Sequence, residues 1–192
     1  MARVRTRNAR GHGAQLRADL LAAANDVLDR TGDPASVTIR GIAAAVGVAP
    51  NAVYLHFADR AALLDALVAE RFAAFGAHIR AAMTDAPPDP VARLRAGHAA
   101  YVDFALTHPG HYRLLFGNPN ASGVGAAAFQ LLVDGCQALL DAGLIGDVAA
   151  TDLASSIWAF EHGYVTLRLA GVGHLPGPVE ALDALLAAMM RP

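Results

Sequence analysis

The sequence predicts an all-α protein. Apolar residues make up 55% of the chain, mostly Ala, Leu and Val, and aromatics only 6%; Ala and Leu lead the helix propensity scale. Apolar positions recur at three- and four-residue spacing, and runs of alternating β-branched residues are missing. A length of 192 residues suffices for a small unit joined to a larger one.

Each element follows from local signals. Residues 1–12 carry Arg3, Arg5, Arg7 and Arg10 with no acid, the composition of a disordered basic arm. From Ala14 to Arg30 the stripe Leu20, Leu21, Ala24, Val27 and Leu28 marks a helix that TGDP ends. Thr38 caps a short helix, Ile39 to Val46, closed by Gly47, and Pro50 opens the next, expected to reach Phe57. Asp59 caps a long helix with the stripe Leu64, Val68, Phe72, Phe75, Ile79 and Met83, stopped by DAPPDP. A helix over 91–107 ends at HPG, a short one covers Tyr112 to Phe116, and three more are expected over 125–142, 152–170 and 178–190. The expected total is about nine helices.

Charge is uneven. Net charge is −2, yet residues 1–60 carry +3 and residues 61–192 carry −5, which places the division between the two expected units near residue 60. A single Cys136 cannot form an internal disulfide, and no unbroken apolar h-region follows the N-terminal arginines. The two longest uncharged stretches, Gly41 to Ala58 and Leu114 to Val133, have Gly, Pro and Asn in their middles and are not membrane spans. The expected compartment is the cytoplasm, with no membrane partner.

TIRGIAAAVGVAPNAVYLHF places two short helices about a Gly-containing turn, the helix-turn-helix pattern. Ile42, Ala43, Val46, Val48, Val53 and Phe57 can pack on the first helix, leaving Asn51, Ala52, Tyr54 and His56 on a polar, uncharged face. Hydroxyl, imidazole and backbone donors hold phosphates, and Asn or a small apolar group reads base edges. Positive charge then comes from Arg40, Arg60 and the arm, which suits a minor-groove reach.

Residues 38–67, TIRGIAAAVGVAPNAVYLHFADRAALLDAL, resemble the DNA-binding signature of the tetracycline-repressor (TetR) family of transcriptional regulators. The resemblance implies phosphate contacts at Thr38, Arg40, Tyr54, His56 and Arg60, with Pro50, Asn51, Ala52 and Val53 nearest the bases of a palindromic operator in double-stranded DNA. Two positions depart from the pattern: Gly41 stands where an acid would complete a capping box, and Ala49 where Ser or Thr would cap the recognition helix. The lost cap costs about 1 kcal/mol. Farther on, HPGHYRLLFGNP and IWAFEHGYVTLRLAG resemble the Trp-His-Gly type of TetR ligand-binding region through Trp158, His162 and Gly163.

A small, mostly apolar effector is expected among His98, Tyr101, Phe104, Tyr112, Phe116, Trp158 and His162; ordinary core packing is the competing reading of the same residues. Arg113 is the only cation nearby, which disfavours phosphorylated or multiply carboxylated effectors. The last two helices are apolar on more than one face, so a homodimer is expected through Ile157, Tyr164, Leu182, Leu186 and Met189. No cofactor, metal or catalytic residue is implied. His108 and His111 lack a third ligand at recognisable spacing, Glu161-His162 lacks a second His, and GxSxG and CxxC are missing. The expected function is a ligand-responsive DNA-binding repressor. Its rival is a helical small-molecule-binding or enzyme-like protein that uses the helix-turn-helix only as scaffold.

Overall fold

A computed structural model describes residues 12–117, 125–146 and 148–189. Nine α-helices form among them: α1 His12–Thr31, α2 Ile39–Val46, α3 Pro50–Val53, α4 Arg60–Asp85, α5 Pro90–Thr107, α6 Pro109–Gly117, α7 Ala126–Asp141, α8 Ala150–Leu169 and α9 Pro178–Met189. The all-α expectation stands. Arg3, Arg5, Arg7 and Arg10 lie outside the described residues.

Capping explains the starts. Thr38, Asp59 and Asp89 accept from Gly41 N at 3.1 Å, Ala62 N at 2.8 Å and Ala92 N at 2.7 Å, each meeting a donor that the first helical turn leaves free. Ala49 has no such bond, and α3 is only four residues long instead of reaching Phe57. Beyond Val53 the chain tightens into a turn, with His56 N and Phe57 N both bonded to Val53 O, and drives Phe57 into the core. The sixth helix begins at Pro109 rather than Tyr112. Pro at the first helical position forfeits only a donor with no intrahelical partner, so HPG ends one helix and opens the next.

α1, α2 and α3 close on Leu20, Leu28, Val37, Ile42, Val53 and Phe57, all buried. Arg60 at the head of α4 turns back onto this unit, donating from Nε to Val37 O and from Nη2 to Pro34 O, each at 2.6 Å. α4 belongs to both parts of the molecule. Its Leu63 and Leu67 are buried beside α1, whereas Phe72, Phe75 and Ile79 pack farther along against α5 and α7. A second cluster joins α5, α7, α8 and α9 through Leu94, Cys136, Leu139, Ile157, Leu182 and Leu186. Burial raises the Cys136 thiol to about 12, consistent with a packed small hydrophobe.

α6 is the joint between the two parts. Gly110 lies so close to the end of α1 that a Cβ there would sit 2.7 Å from Leu28 O and 3.0 Å from Gly32 Cα. Arg113 Nη1 donates to Gly32 O at 2.6 Å, and Gly32 itself takes φ +64° to end α1. Because the obstructing atoms are backbone, no rotamer change relieves the clash. Gly110→Ala is therefore expected to destabilise the protein by about 1–3 kcal/mol, the usual range for overpacking. Thermal unfolding checks this against Gly117→Ala, where an added Cβ meets nothing within 4 Å.

Candidate nucleic-acid interface and effector cavity

The helix-turn-helix presents a narrow polar surface. Asn51 is exposed, Ala52 and His56 are partly exposed, and Tyr54 stands 52% exposed beside Leu55 at 81%. Pro50 and Arg40 are also exposed. Leu55 was not singled out in the sequence, because an apolar residue between Tyr and His there reads as core. One expected contact needs correction, and two others carry a structural duty as well. Val53 is fully buried and serves the core of the unit, so it cannot touch a base. Arg60 spends two of its donors on the Pro34–Val37 segment, which makes it first a clasp between α4 and α2. Thr38 likewise uses its hydroxyl oxygen as the α2 cap.

The second feature is a cavity of about 690 Å³ between α4, α5, α6, α7 and α8, within the range of small-molecule sites. His98, Tyr101, Phe116, Trp158 and His162 all line it, as the sequence suggested. Phe72, Phe75 and Met83 of α4, Phe129 and Leu132 of α7, and Glu161 of α8 line it too. The apolar ones were legible as helix stripes, but periodicity does not distinguish a stripe that meets another helix from one that meets a void. Phe104 and Tyr112 do not line the cavity. Phe104 packs on Phe75 and His108, with ring centroids 4.9 and 5.4 Å away, and Tyr112 stands behind Tyr101 and His162.

The polar groups in this apolar wall are organised. Tyr101 Oη hydrogen-bonds His162 Nδ1, and Tyr112 Oη lies 3.3 Å from the same nitrogen. Burial raises both tyrosine hydroxyls and lowers His162 below the usual histidine range, so the phenols stay protonated and the imidazole neutral. With Tyr101 donating to Nδ1, the remaining ring proton resides on Nε2, a donor on a residue of the cavity wall.

Deeper in the wall, His98 Nδ1 is 3.0 Å from Glu161 Oε1 and His98 Nε2 is 2.9 Å from Pro178 O. The Pro178 carbonyl can only accept, so Nε2 carries a proton. A further proton is then shared between Nδ1 and Oε1, and the pair is neutral as a whole whichever atom holds it. Desolvation raises Glu161, with the hydrogen bond and charge of His98 opposing that rise. Such a pair can persist in an apolar wall because it carries no net charge. Among the described residues no Arg or Lys lines the cavity.

Four of the residues expected in a dimer seam are placed elsewhere. Ile157, Leu182 and Leu186 are buried in the second core cluster, and Tyr164 is buried with its hydroxyl donating to Pro176 O at 2.7 Å. One chain already covers these side chains, leaving no surface for a partner. Met189 is partly buried against the same cluster. The apolar residues expected at a partner point inward, against α5 and α7. The exposed face of α8 instead carries Ser156, Ala159, Gly163 and Leu167, and that of α9 carries Ala184, Ala187 and Ala188.

A short helix-turn-helix unit joined through a bridging helix to a helical bundle with an apolar cavity defines the class of DNA-binding regulators that respond to small molecules. The comparisons identify the family within it. Residues 20–67 match the family model described as bacterial regulatory proteins, tetR family, and residues 94–191 match a tetracyclin repressor-like C-terminal domain. The chain belongs to the TetR family of bacterial transcription regulators. No match is found among curated proteins. A solved Rhodococcus sp. RHA1 protein of unknown function is 31% identical, with 94% of this chain and 96% of that one covered and a TM-score of 0.80. A TetR-family transcriptional regulator from Pectobacterium atrosepticum is 23% identical, with 96% and 99% covered and a TM-score of 0.68. RolR, solved in complex with resorcinol, shares the fold at 16% identity, 94% and 90% coverage and a TM-score of 0.71. Among the described residues no helix is long and apolar enough to cross a membrane.

The lowered His162 has a definite pH consequence. Below about 6.5, the ordinary value, the unfolded chain binds a proton that the folded one refuses, so stability is lost as pH falls through that value toward the folded one. Urea unfolding of wild type and His162→Gln between pH 7.5 and 5 isolates this contribution. The variant should lose less stability on acidification, by up to one proton equivalent, whatever the other groups contribute to both proteins.

Proposed function

We propose that the protein is a homodimeric repressor released from a palindromic operator when a small, neutral, mostly apolar molecule occupies the cavity. The single observation that carries this reading is the cavity's position. α6 supplies Leu115 and Phe116 to its wall and, within the same nine-residue helix, Gly110 and Arg113 to the contact with α1. A molecule that favours one placement of α6 therefore acts on the unit that carries the helix-turn-helix, in proportion to its preference between the two states.

The division of labour runs from residues 1–60, which read DNA, to residues 61–192, which bind effector and partner. Asn51 and Ala52 face bases, while Tyr54, His56, Arg40 and the arm residues Arg3, Arg5, Arg7 and Arg10 hold phosphates. A wall of Phe, Leu and Met with His162 Nε2, Ser155 and the neutral His98–Glu161 pair suits an aromatic molecule bearing one or two hydrogen-bonding groups. RolR with its resorcinol is a precedent within the fold. The second copy docks on the small-residue face of α8 and α9. Gly163, where an added Cβ would meet nothing within 4 Å in one chain, permits close helix approach.

Selection of bound sites from random DNA, followed by titration of neutral aromatic compounds, tests the reading. Wild type should enrich a two-fold symmetric sequence. Asn51→Ala should change preference at one or two positions per half-site, and Tyr54→Phe should weaken all sequences about equally. Compounds that release DNA should change the emission of Trp158, the sole Trp, which lines the cavity. Sequence-blind binding by wild type would overturn the regulator reading in favour of a scaffold role for the helix-turn-helix. Release without any change at Trp158 would place the effector elsewhere.

A further inference from the structure

The joint between α1 and α6 carries a cluster that the regulator reading does not use. His108 ends α5, its N–H bonded to Phe104 O at 2.8 Å, and its carbonyl accepts from Tyr112 N at 2.9 Å to open α6. His111 follows three residues later, so both imidazoles lie on one side of the junction, with ring centroids 5.5 Å apart. Asp29, near the end of α1, faces them. Its Oδ1 is 3.3 Å from His108 Nδ1 and 3.6 Å from His111 Nδ1, and ligand atoms of the three residues all lie within 4.8 Å of one another. The sequence concealed this third group, because Asp29 is 79 positions from His108.

An ordinary histidine–carboxylate hydrogen bond explains His108 but not His111. His111 is only 3% exposed, its Nδ1 is too far from the carboxylate for a hydrogen bond, and its Nε2 is buried with no partner among the described residues. Nδ1, the nitrogen that faces the carboxylate but stands beyond hydrogen-bond reach of it, is open to another partner. Distances indicate which. With metal bonds of about 2.0–2.2 Å, the ligand atoms of a tetrahedral zinc site stand about 3.3–3.6 Å apart. The two edges to Asp29 already have this length, and the His108 side chain, 42% exposed, is free to bring the third into range.

We propose that Asp29, His108 and His111 form a binding site for a first-row divalent cation of the zinc class. Two imidazole nitrogens and one carboxylate oxygen suit such an ion, and calcium or magnesium would demand an oxygen-rich set. The Asp29 and His108 side chains are each about half exposed, so the ion has an entry path and room for water in its remaining position. The site's location gives the ion a consequence. One ligand comes from the helix-turn-helix unit and two from the α5–α6 junction, so a bound ion crosslinks the contact that Gly110 and Arg113 already make.

The test uses the full-length protein, stripped with chelator and dialysed, and is independent of any effector. Co²⁺ is titrated first for its visible absorption and is then displaced by Zn²⁺ in competition with a chromophoric chelator. Wild type should bind one equivalent per chain. Asp29→Asn and His108→Ala should weaken binding by at least the ~10–100-fold that loss of even an outer-shell partner costs, while His174→Ala, an exposed residue outside the cluster, should bind as wild type does. Zn²⁺ should also raise the Tm of wild type but not of the two cluster variants. Both variants replace half-exposed groups, and circular dichroism confirms that they fold. No stoichiometric binding by wild type, or equal binding by well-folded Asp29→Asn and His108→Ala, would overturn the site.

Discussion

The close approach of α6 to the end of α1 is the constraint on which the arrangement rests. Gly110 lies against the Leu28 carbonyl with no room for a methyl group, and Arg113 closes the contact onto Gly32. Interactions of this kind do not stretch. Backbone against backbone is among the stiffest contacts in a packed protein, so displacement of α6 moves the α1 end with it or breaks the contact. α4 makes a second connection, its first turns packed in the helix-turn-helix core and its later turns in the cavity wall. Two connections at different points are the routes by which the proposed change in the bundle would reach the reading unit.

The cavity places hydrogen bonding where net charge would be costly. Tyr101 fixes His162, and the His98–Glu161 pair satisfies its buried atoms while anchoring Pro178 at the start of α9. The aromatic walls give area, and these few polar groups give orientation. An anion would find no cation among the described wall residues, and a strongly charged molecule of either sign would lose its hydration for a neutral pair. The proposed preference for neutral aromatic effectors thus rests on what the described wall lacks as much as on what it contains.

Much of this was legible in the sequence, for physical reasons that also mark where legibility stops. Caps at Thr38 and Asp59, the punctuation at Gly47, Pro50 and DAPPDP, and the helical stripes are local signals, and the helices they announce are present. Five cavity residues, among them Trp158 and His162, were found from aromatic and imidazole groups on apolar faces. Val53 was assigned to both core and DNA, and burial decides for core. Ile157, Tyr164, Leu182 and Leu186, expected at a partner, are buried within the chain itself. An apolar stripe announces that something covers it, but not whether the cover is the same chain or another. Phe104 and Tyr112 failed similarly, since a stripe one residue wide of the cavity has the same composition as its wall. Asp29 could not be found at all, because its relation to His108 and His111 exists only after α1 and α6 meet.

The coupling through α6 is tested most directly by separating binding from response in Arg113→Ala. Operator affinity is measured for wild type and variant with and without a releasing compound, and compound affinity is read from Trp158 emission. The expected result is apo operator affinity and compound affinity each within a few fold of wild type. The factor by which the compound lowers operator affinity should then shrink at least ~10-fold, about 1.4 kcal/mol of lost coupling. Undiminished release by Arg113→Ala would contradict transmission through the α6 joint.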